Sequence, residues 1–280
     1  MKTAKTIKEV RRLVKSAKDK GKTIGFVPTM GALHDGHLSL IKAAKDKCDF
    51  VVVSIFVNPT QFGPNEDLAK YPRPIEKDLQ LCKAGGADLV FNPSAAEMYS
   101  QQNMTWVNVE KLTDGLCGAS RPGHFRGVTT VCTKLFNIVA PDFAFFGQKD
   151  AQQAAVIKQM VADLNMPLKI IVCPIIREAD GLAMSSRNVY LDSQQRKTAA
   201  LIYQSLQKCL QMIEKGTKNS QTLIAQMRKV LQESPLIAVE YISIVDAQSL
   251  EKVKTVEGRV LVAVAVKLGK TRLIDNILVD

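Results

Sequence analysis

The chain has 280 residues, 46% hydrophobic and 23% charged, with 38 Lys and Arg against 27 Asp and Glu for a formal net charge of +11. These proportions are those of a soluble globular chain with room for one large or two smaller domains, and the basic balance suits anionic partners. The longest apolar runs, such as residues 50–57, are strand length, which excludes a membrane span, and no basic block with interleaved aromatics marks a nucleic-acid surface.

Residues 1–22 are charged throughout, so no signal peptide is expected. The six cysteines are scattered without a Cys-x-x-Cys pair, several inside apolar segments, which points to a reducing, cytoplasmic setting. Residues 3–20 carry Ile7, Val10, Leu13 and Val14 on one face and predict an amphipathic helix. A strand is expected at 23–27, a helix at 37–47, and a continuous apolar strand at 50–57. Residues 64–74 hold three prolines and read as an exposed loop. A helix at 75–84, strands at 88–91 and 105–109, a helix at 124–139, a strand at 142–146, a helix at 151–164 and a strand at 168–175 follow. The texture then changes to helices at 193–214 and 219–232 and strands at 239–245 and 260–266.

This alternation predicts an α/β fold: a Rossmann-like, mostly parallel sheet with helices on both faces over residues 1–187, plus a smaller α+β C-terminal domain over 188–280. Ligands on such sheets bind at the C-terminal ends of strands. The unusual residues fall there: His34 and His37 after one strand, Asn58 and Gln61 after the next, residues 147–150 after a third, and residues 177–188 after the last.

The stretch Pro28-Thr29-Met30-Gly31-Ala32-Leu33-His34-Asp35-Gly36-His37 reads as a Gly-rich bend between strand and helix. Such a bend leaves backbone N–H groups at a helix N-terminus, where the dipole favours anions. His34 and His37 are two of the chain's three histidines, and as neutral donors or cations they suit charge growing on a phosphate. Two alternatives stay open: the pair caps the turn, or it binds a metal, for which no Cys or third His stands nearby in sequence. In Gly147-Gln148-Lys149-Asp150 the glycine admits close approach of a ligand, Lys149 offers a point charge for phosphate, and Asp150 either meets ribose hydroxyls or caps the helix. Met184-Ser185-Ser186-Arg187 combines two hydroxyls with a guanidinium, suited to a polyphosphate, unless it is an ordinary Ser-rich turn. Gln61 and Gln153 are neutral donor–acceptors that suit a substrate bearing hydroxyl and carboxylate, unless they are solvated.

His34-Asp35-Gly36-His37 resembles the His-x-Gly-His motif of the nucleotidylyltransferase superfamily, which includes class I aminoacyl-tRNA synthetases, and Met184 to Arg187 resembles its second, phosphate-binding motif. Four further runs, Phe56-Val57-Asn58-Pro59-Thr60-Gln61-Phe62, Tyr71-Pro72-Arg73, Arg121-Pro122-Gly123-His124-Phe125-Arg126-Gly127 and Phe146-Gly147-Gln148-Lys149-Asp150-Ala151-Gln152-Gln153, extend the likeness to the pantoate–β-alanine ligase family. The six motifs stand in register over residues 1–190; Asp35 replaces the Glu more usual in that family. The resemblance implies ATP-dependent condensation of (R)-pantoate with β-alanine through a pantoyl adenylate, with Mg2+ travelling on ATP and a homodimeric assembly. It assigns His34, His37, Lys149 and Arg187 to catalysis, His37 as a proton donor. Met30, Gly31, Gly147, Gln148, Asp150, Ile176, Met184, Ser185 and Ser186 go to ATP, and Gln61, Gln153 and Met30 to pantoate, with Gln61 also near β-alanine. Arg121 and His124 fall at the pocket rim, and the loop 63–73 is expected to close over a mixed anhydride that must be kept from water. A nucleotidylyltransferase acting on a phosphorylated acceptor is the competing enzyme reading, disfavoured by Gln61 and Gln153; a nucleic-acid-binding module would need clustered rather than dispersed basic residues.

Overall fold

The computed structural model describes residues 1–64, 66–99 and 103–280. In chain order the elements are β1 (Lys2–Ala4), α1 (Ile7–Lys18), β2 (Ile24–Thr29), α2 (Asp35–Lys47), β3 (Phe50–Ile55), α3 (Ile75–Ala84), β4 (Leu89–Phe91), α4 (Ala95–Met98), α5 (Leu116–Ser120), α6 (His124–Val139), β5 (Phe143–Gly147), α7 (Ala151–Asp163), β6 (Lys169–Cys173), α8 (Ser193–Thr198), α9 (Ala200–Glu214), α10 (Ser220–Leu231), β7 (Ile237–Asp246), β8 (Val260–Leu268) and β9 (Thr271–Val279). Single tight turns sit at Pro59–Gln61, Gln148–Asp150 and Ser186–Tyr190.

Strands β1 to β6 form one parallel sheet in the order β1-β4-β3-β2-β5-β6. The chain steps outward one way from β2 through β3 to β4, then crosses to the other side for β5 and β6. Strand order therefore reverses between β2 and β5, and their C-terminal ends flank a crevice. Both faces are dry, because alternate residues pack against different helices. Ile24 and Phe26 of β2 and Val52 of β3 pack with Val10 and Val14 of α1, Phe136 of α6 and Val156 of α7. Val27, Val51 and Val53 pack instead with Leu40 and Ile41 of α2 and Cys82 of α3. Full burial of such a side chain contributes about 1.5–3 kcal/mol, more than the roughly 0.7 kcal/mol that separates ordinary residues in helix propensity. The two-sided apolar pattern, not local propensity, fixes the sheet.

Strands β7, β8 and β9 form an antiparallel sheet whose apolar face is covered by α9 and α10. Leu182, on the N-terminal side of the expected boundary, packs into this second core. The other face meets the first lobe through Tyr241 and Ile274.

Most expected elements are present within a few residues; the short helices α4 and α5 have no expected counterpart, and four further differences stand out. Residues 2–4 are a strand rather than the start of a helix, because the Thr6 hydroxyl and the Glu9 carboxylate cap α1 reciprocally and start it at Ile7. Residues 105–109 are no strand: the Val107 N–H donates to Thr130 Oγ1 (3.1 Å), and Thr129 Oγ1 donates to the Val107 carbonyl (2.6 Å), so hydroxyls of α6 replace a sheet neighbour. The helix expected at 193–214 is divided at Ala199 into α8 and α9. Strand β9 has no counterpart among the expected elements.

Helix α6 crosses the turn after β3 at its Gly127, where an added Cβ would run into the Thr60 carbonyl and lie 2.7 Å from the Gln61 Cα. Backbone cannot retreat as a side chain can. Gly127→Ala is therefore expected to lower the unfolding free energy by about 1–3 kcal/mol, read by urea denaturation; an unchanged midpoint would show that the helix can slide.

Candidate active site

The bend after β2 is held from a distance. Gly31 and Ala32 both have left-handed backbones (φ +81° and +51°), and the buried Asp78 carboxylate of α3 accepts the Ala32 N–H (2.9 Å) and the Leu33 N–H (2.8 Å). A Cβ at residue 31 would stand 2.9 Å from Asp78 Oδ2, so the position needs glycine for both its backbone and its space.

The bend delivers His34 to the N-cap of α2 and His37 to its first turn. His34 Nδ1 accepts the Gly36 N–H (3.1 Å), and His37 Nδ1 accepts the His34 N–H (3.4 Å), with ring centres 4.2 Å apart. The capping alternative is therefore realised, and each ring keeps its Nε2 uncommitted to the cap. Each Nδ1 is an acceptor, which puts the proton of the neutral ring on Nε2. The Gly36 N–H goes to the His34 ring and the His37 N–H to the His34 carbonyl (2.8 Å), so ring donors take over from the backbone donors expected there. Burial pushes the His34 pKa down to about 4, helped by the nearby Lys149 charge. Burial, then His34 and Lys149, push His37 to about 3. Both rings are neutral at neutral pH.

One cleft of about 220 Å3, at the C-terminal ends of β2 and β5, is lined by Met30, His34, His37, Gln61, Gly147, Lys149, Asp150, Gln153, Ile176, Met184, Ser185, Ser186 and Arg187. Thirteen of the fifteen residues named for catalysis and binding from sequence meet in this cleft. Gly31 and Gln148 do not line it: Gly31 shapes the bend, and the Gln148 side chain turns away to donate to Asn276 Oδ1 (3.0 Å). Asp150 makes no side-chain cap of α7, which removes the capping explanation for it. Ser185 Oγ accepts the Arg187 N–H (3.2 Å), and Ser186 Oγ lies 3.1 Å from the Tyr71 hydroxyl.

Gln61 is oriented by a residue behind it. Buried Asn58 donates through Nδ2 to Gln61 Oε1 and to the Gly127 carbonyl (3.1 Å each), while its Oδ1 accepts from the Tyr99 hydroxyl (2.8 Å). With Oε1 occupied as acceptor, Gln61 presents its Nε2 donor beside Met30 Sδ (3.1 Å). Gln153 faces the cleft; its neighbour Gln152 is buried and ties the Leu112 and Gly115 carbonyls to the Cys117 N–H.

Arg121 and His124 stand behind Gln61 rather than in this cleft. The Arg121 guanidinium donates to His124 Nε2 (3.0 Å), and His124 Nδ1 donates to the Gln61 carbonyl (2.9 Å), the opposite tautomer to the other two histidines. Burial and the Arg121 charge push His124 down to about 4. A wider cleft of about 1150 Å3 adjoins the first, shares Arg187 with it and includes Arg121 and His124 in its wall. The expected lid, 63–73, is described except for residue 65; its Gly63, Pro64, Glu66, Asp67, Ala69 and Lys70 line the wider cleft and its Tyr71 the first. Its Glu66 forms a fork with Arg121 (2.6 Å to both Nε and Nη2) and its Asp67 another with Arg187 (3.0 and 2.9 Å). Burial opposes ionisation of Asp67, yet the Arg187 guanidinium holds it below the usual carboxylate range. Among the described residues no group of three or more His, Cys, Asp or Glu is placed to hold a metal, so His34 and His37 have no third side-chain ligand.

The family model described as Pantoate-beta-alanine ligase matches residues 2–278. This chain belongs to the pantoate–β-alanine ligase family. It is 56% identical over 271 residues to the pantothenate synthetase of Pelotomaculum thermopropionicum, covering 97% of this chain and 96% of that one. It is 54% identical over 280 residues to that of Acetivibrio thermocellus, covering 100% of both. The crystal structure of the Thermus thermophilus pantothenate synthetase superposes with a TM-score of 0.95 at 41% identity over 99% of each chain. The Francisella tularensis pantoate–β-alanine ligase, solved in complex with β-γ ATP and β-alanine, superposes with a TM-score of 0.82 at 39% identity over 99% and 97%.

Sequence reading of the site misses Asp78, which holds the bend from behind. Asn58 is singled out in sequence by its strand-end position and its place in the Phe56–Phe62 run, but its part in orienting Gln61 is not. The sequence signal for Asp78 is its position, at helical spacing from Ile75 and Cys82 on the face that α3 buries.

The three histidines carry a pH prediction. Their ordinary value is 6.5, and in the fold they sit at about 4, 3 and 4. The unfolded chain therefore binds more protons than the folded chain between pH 6.5 and about 4, and stability falls as pH drops through that window. Urea midpoints at about pH 7.5, 6.5 and 5.5 should fall by a small step across the first pair and by a step about three times larger across the second. A level or rising series would contradict the neutral-ring assignment.

Proposed function

We propose that this cleft condenses (R)-pantoate with β-alanine at the expense of ATP, giving pantothenate, AMP and pyrophosphate through a pantoyl adenylate. The observation that carries the mechanism is the paired Nε2–H donors of His34 and His37, held beside Lys149 at the mouth of the β2–β5 crevice.

In the first step a pantoate carboxylate oxygen attacks the α-phosphorus of ATP, and the bond to the β-phosphate oxygen breaks. No protein nucleophile is required; the work is positioning and charge neutralisation. Neutral imidazoles donate to the phosphate oxygens as negative charge shifts toward the leaving pyrophosphate. Lys149 and Arg187 supply full charges there, and Ser185 and Ser186 supply hydroxyls. Gly147, Asp150 and the backbone at Ile176 take the ribose and adenine. Met30, Gln61 and Gln153 hold pantoate, with the Gln61 Nε2 donor aimed by Asn58. In the second step the β-alanine amine attacks the acyl carbonyl, an N–C bond forms, AMP departs and the amine gives up a proton. Mg2+ enters with ATP as part of the substrate.

The two units, 1–187 and 188–280, act as nucleotide- and pantoate-binding domain and smaller α+β domain, in a cytoplasmic homodimer. Six buried thiols suit a reducing compartment, and no helix among the described residues is long and apolar enough to cross a membrane.

Pyrophosphate release from MgATP should depend on pantoate, and AMP release should then depend on β-alanine. His37→Ala is expected to slow the pantoate-dependent step by about 10²-fold or more. Release of pyrophosphate without pantoate, by folded protein that binds ATP, would point to another acceptor.

The loop 63–73 serves as the lid, with Asp67 standing on Arg187 where the triphosphate is to lie. ATP must displace that carboxylate. The pair is about a quarter exposed on each side, so its contribution is on the order of 0.2–1 kcal/mol. Asp67→Asn should accordingly lower the KM for MgATP by a factor of roughly 1.5 to 5; a raised KM would mean that Asp67 helps to bind the nucleotide instead.

A further inference from the structure

Asp275 and Asn276 are consecutive on β9, and both are buried, at 2% and 3% exposure. A strand that alternates between two packed faces normally buries apolar residues on both. Here the two faces carry a carboxylate and an amide, side by side, at the junction of the two sheets. Neither residue lines the cleft, and the proposed chemistry makes no use of either.

Asn276 is fully spent on one loop. Its Nδ2 donates to the Gln148 carbonyl (3.0 Å) and to the Lys149 carbonyl (2.9 Å), and its Oδ1 accepts from Gln148 Nε2 (3.0 Å). Those carbonyls belong to the tight turn that places Lys149 between β5 and α7. Asp275 is spent on the other loop. It takes a two-pronged bond from Arg177 (2.5 and 3.0 Å), and Arg177 also donates to the Gly181 carbonyl (3.0 Å) while stacking 3.9 Å from the centre of the Tyr203 ring. Arg177 and Ala183 face each other across a bridge, and the Met184 N–H donates to the Ile176 carbonyl (3.0 Å), so this hairpin delivers Met184 to Arg187 to the cleft. The Asn276 N–H donates to Asp275 Oδ1 (2.7 Å), which links the two arrangements.

We infer that Asp275 and Asn276 are positioning residues for the nucleotide: Asn276 sets the backbone of Lys149, and Asp275, through Arg177, sets the Met184–Arg187 turn. One dipeptide of the C-terminal sheet thereby fixes both phosphate-holding loops of the other lobe. A buried ion pair is a poor source of stability, because desolvation offsets its attraction. Its use here is geometric, since a misplacement of about 1 Å at a reacting centre can cost on the order of 10²-fold in rate.

The inference rests on the ligase reading, and the experiment separates the two. Pantoate-dependent exchange of labelled pyrophosphate into ATP is measured for wild type, Asn276→Ala, Gln148→Ala, Lys149→Ala and the Asn276→Ala/Lys149→Ala double variant, with thermal midpoints for each. Wild-type exchange without pantoate dependence defeats the ligase reading itself. Given a pantoate-dependent wild type, Asn276→Ala should raise the KM for MgATP or lower the exchange rate by about tenfold or more, with the KM for pantoate within about twofold. Gln148→Ala, which removes the Asn276 Oδ1 bond but leaves both carbonyl bonds in place, should cost less than Asn276→Ala; an equal or larger loss would overturn the assignment to the carbonyls. The decisive readout is non-additivity: with Lys149 removed, Asn276→Ala should cost little further. Full additivity in the double variant, or equal losses for ATP and pantoate that track the thermal midpoint, would reduce Asn276 to a structural residue. Asp275→Asn tests the other arm by the same assay, with Arg187→Ala as the paired background and the same criteria.

Discussion

Everything in the cleft depends on where two imidazole protons sit. The backbone N–H groups of Gly36 and His34 claim the Nδ1 atoms of His34 and His37. That single constraint does two things. It closes the first turn of α2, and it commits each Nε2 to be a donor. The Asp78 carboxylate secures the arrangement upstream by holding two amides of a left-handed bend that would otherwise relax. Strain, cap and donor geometry form one assembly. A substitution in any part reaches the others.

Electrical character follows from the same arrangement. Burial makes protonation of either ring costly, so the corner offers dipoles rather than charges. Full positive charge comes from Lys149 and Arg187, which arrive on separate loops. A site of this kind separates two tasks. Neutral donors can be fixed closely without repelling one another, while the two cations are supplied from separate loops. The Asp67–Arg187 fork shows that at least one cation accepts a carboxylate partner in the resting arrangement.

Legibility in the sequence tracks distance along the chain. The parallel sheet is readable because both of its faces are apolar, so its strands stand out as continuous runs such as residues 50–55. Most cleft residues are readable because they follow a strand end closely, where chemistry gathers in this architecture; Met184 to Arg187, well beyond the end of β6 at Cys173, are readable from their paired hydroxyls and guanidinium instead. Contacts formed by residues far apart in sequence are not. Asp78 reaches the bend from 45 residues away, and Asn276 reaches the Lys149 turn from the opposite end of the fold. The segment 105–109 has the composition of a strand, but two threonines of α6 supply the bonds that a neighbouring strand would have supplied. Strand β9 is hidden by Asp275 and Asn276 themselves, which interrupt its apolar pattern.

The order in which parts of this molecule are synthesised carries one more consequence. Every side chain that lines the nucleotide cleft has been made by Arg187, and the six-stranded sheet beneath it is complete by Cys173. The groups that bond to the Lys149 turn and to Arg177 come only with β9. A nascent chain thus holds a finished sheet and every side chain of the cleft well before those two loops gain their partners on β9. Synthesis of β9 separates the making of the cleft's side chains from the bracing of the loops that carry them.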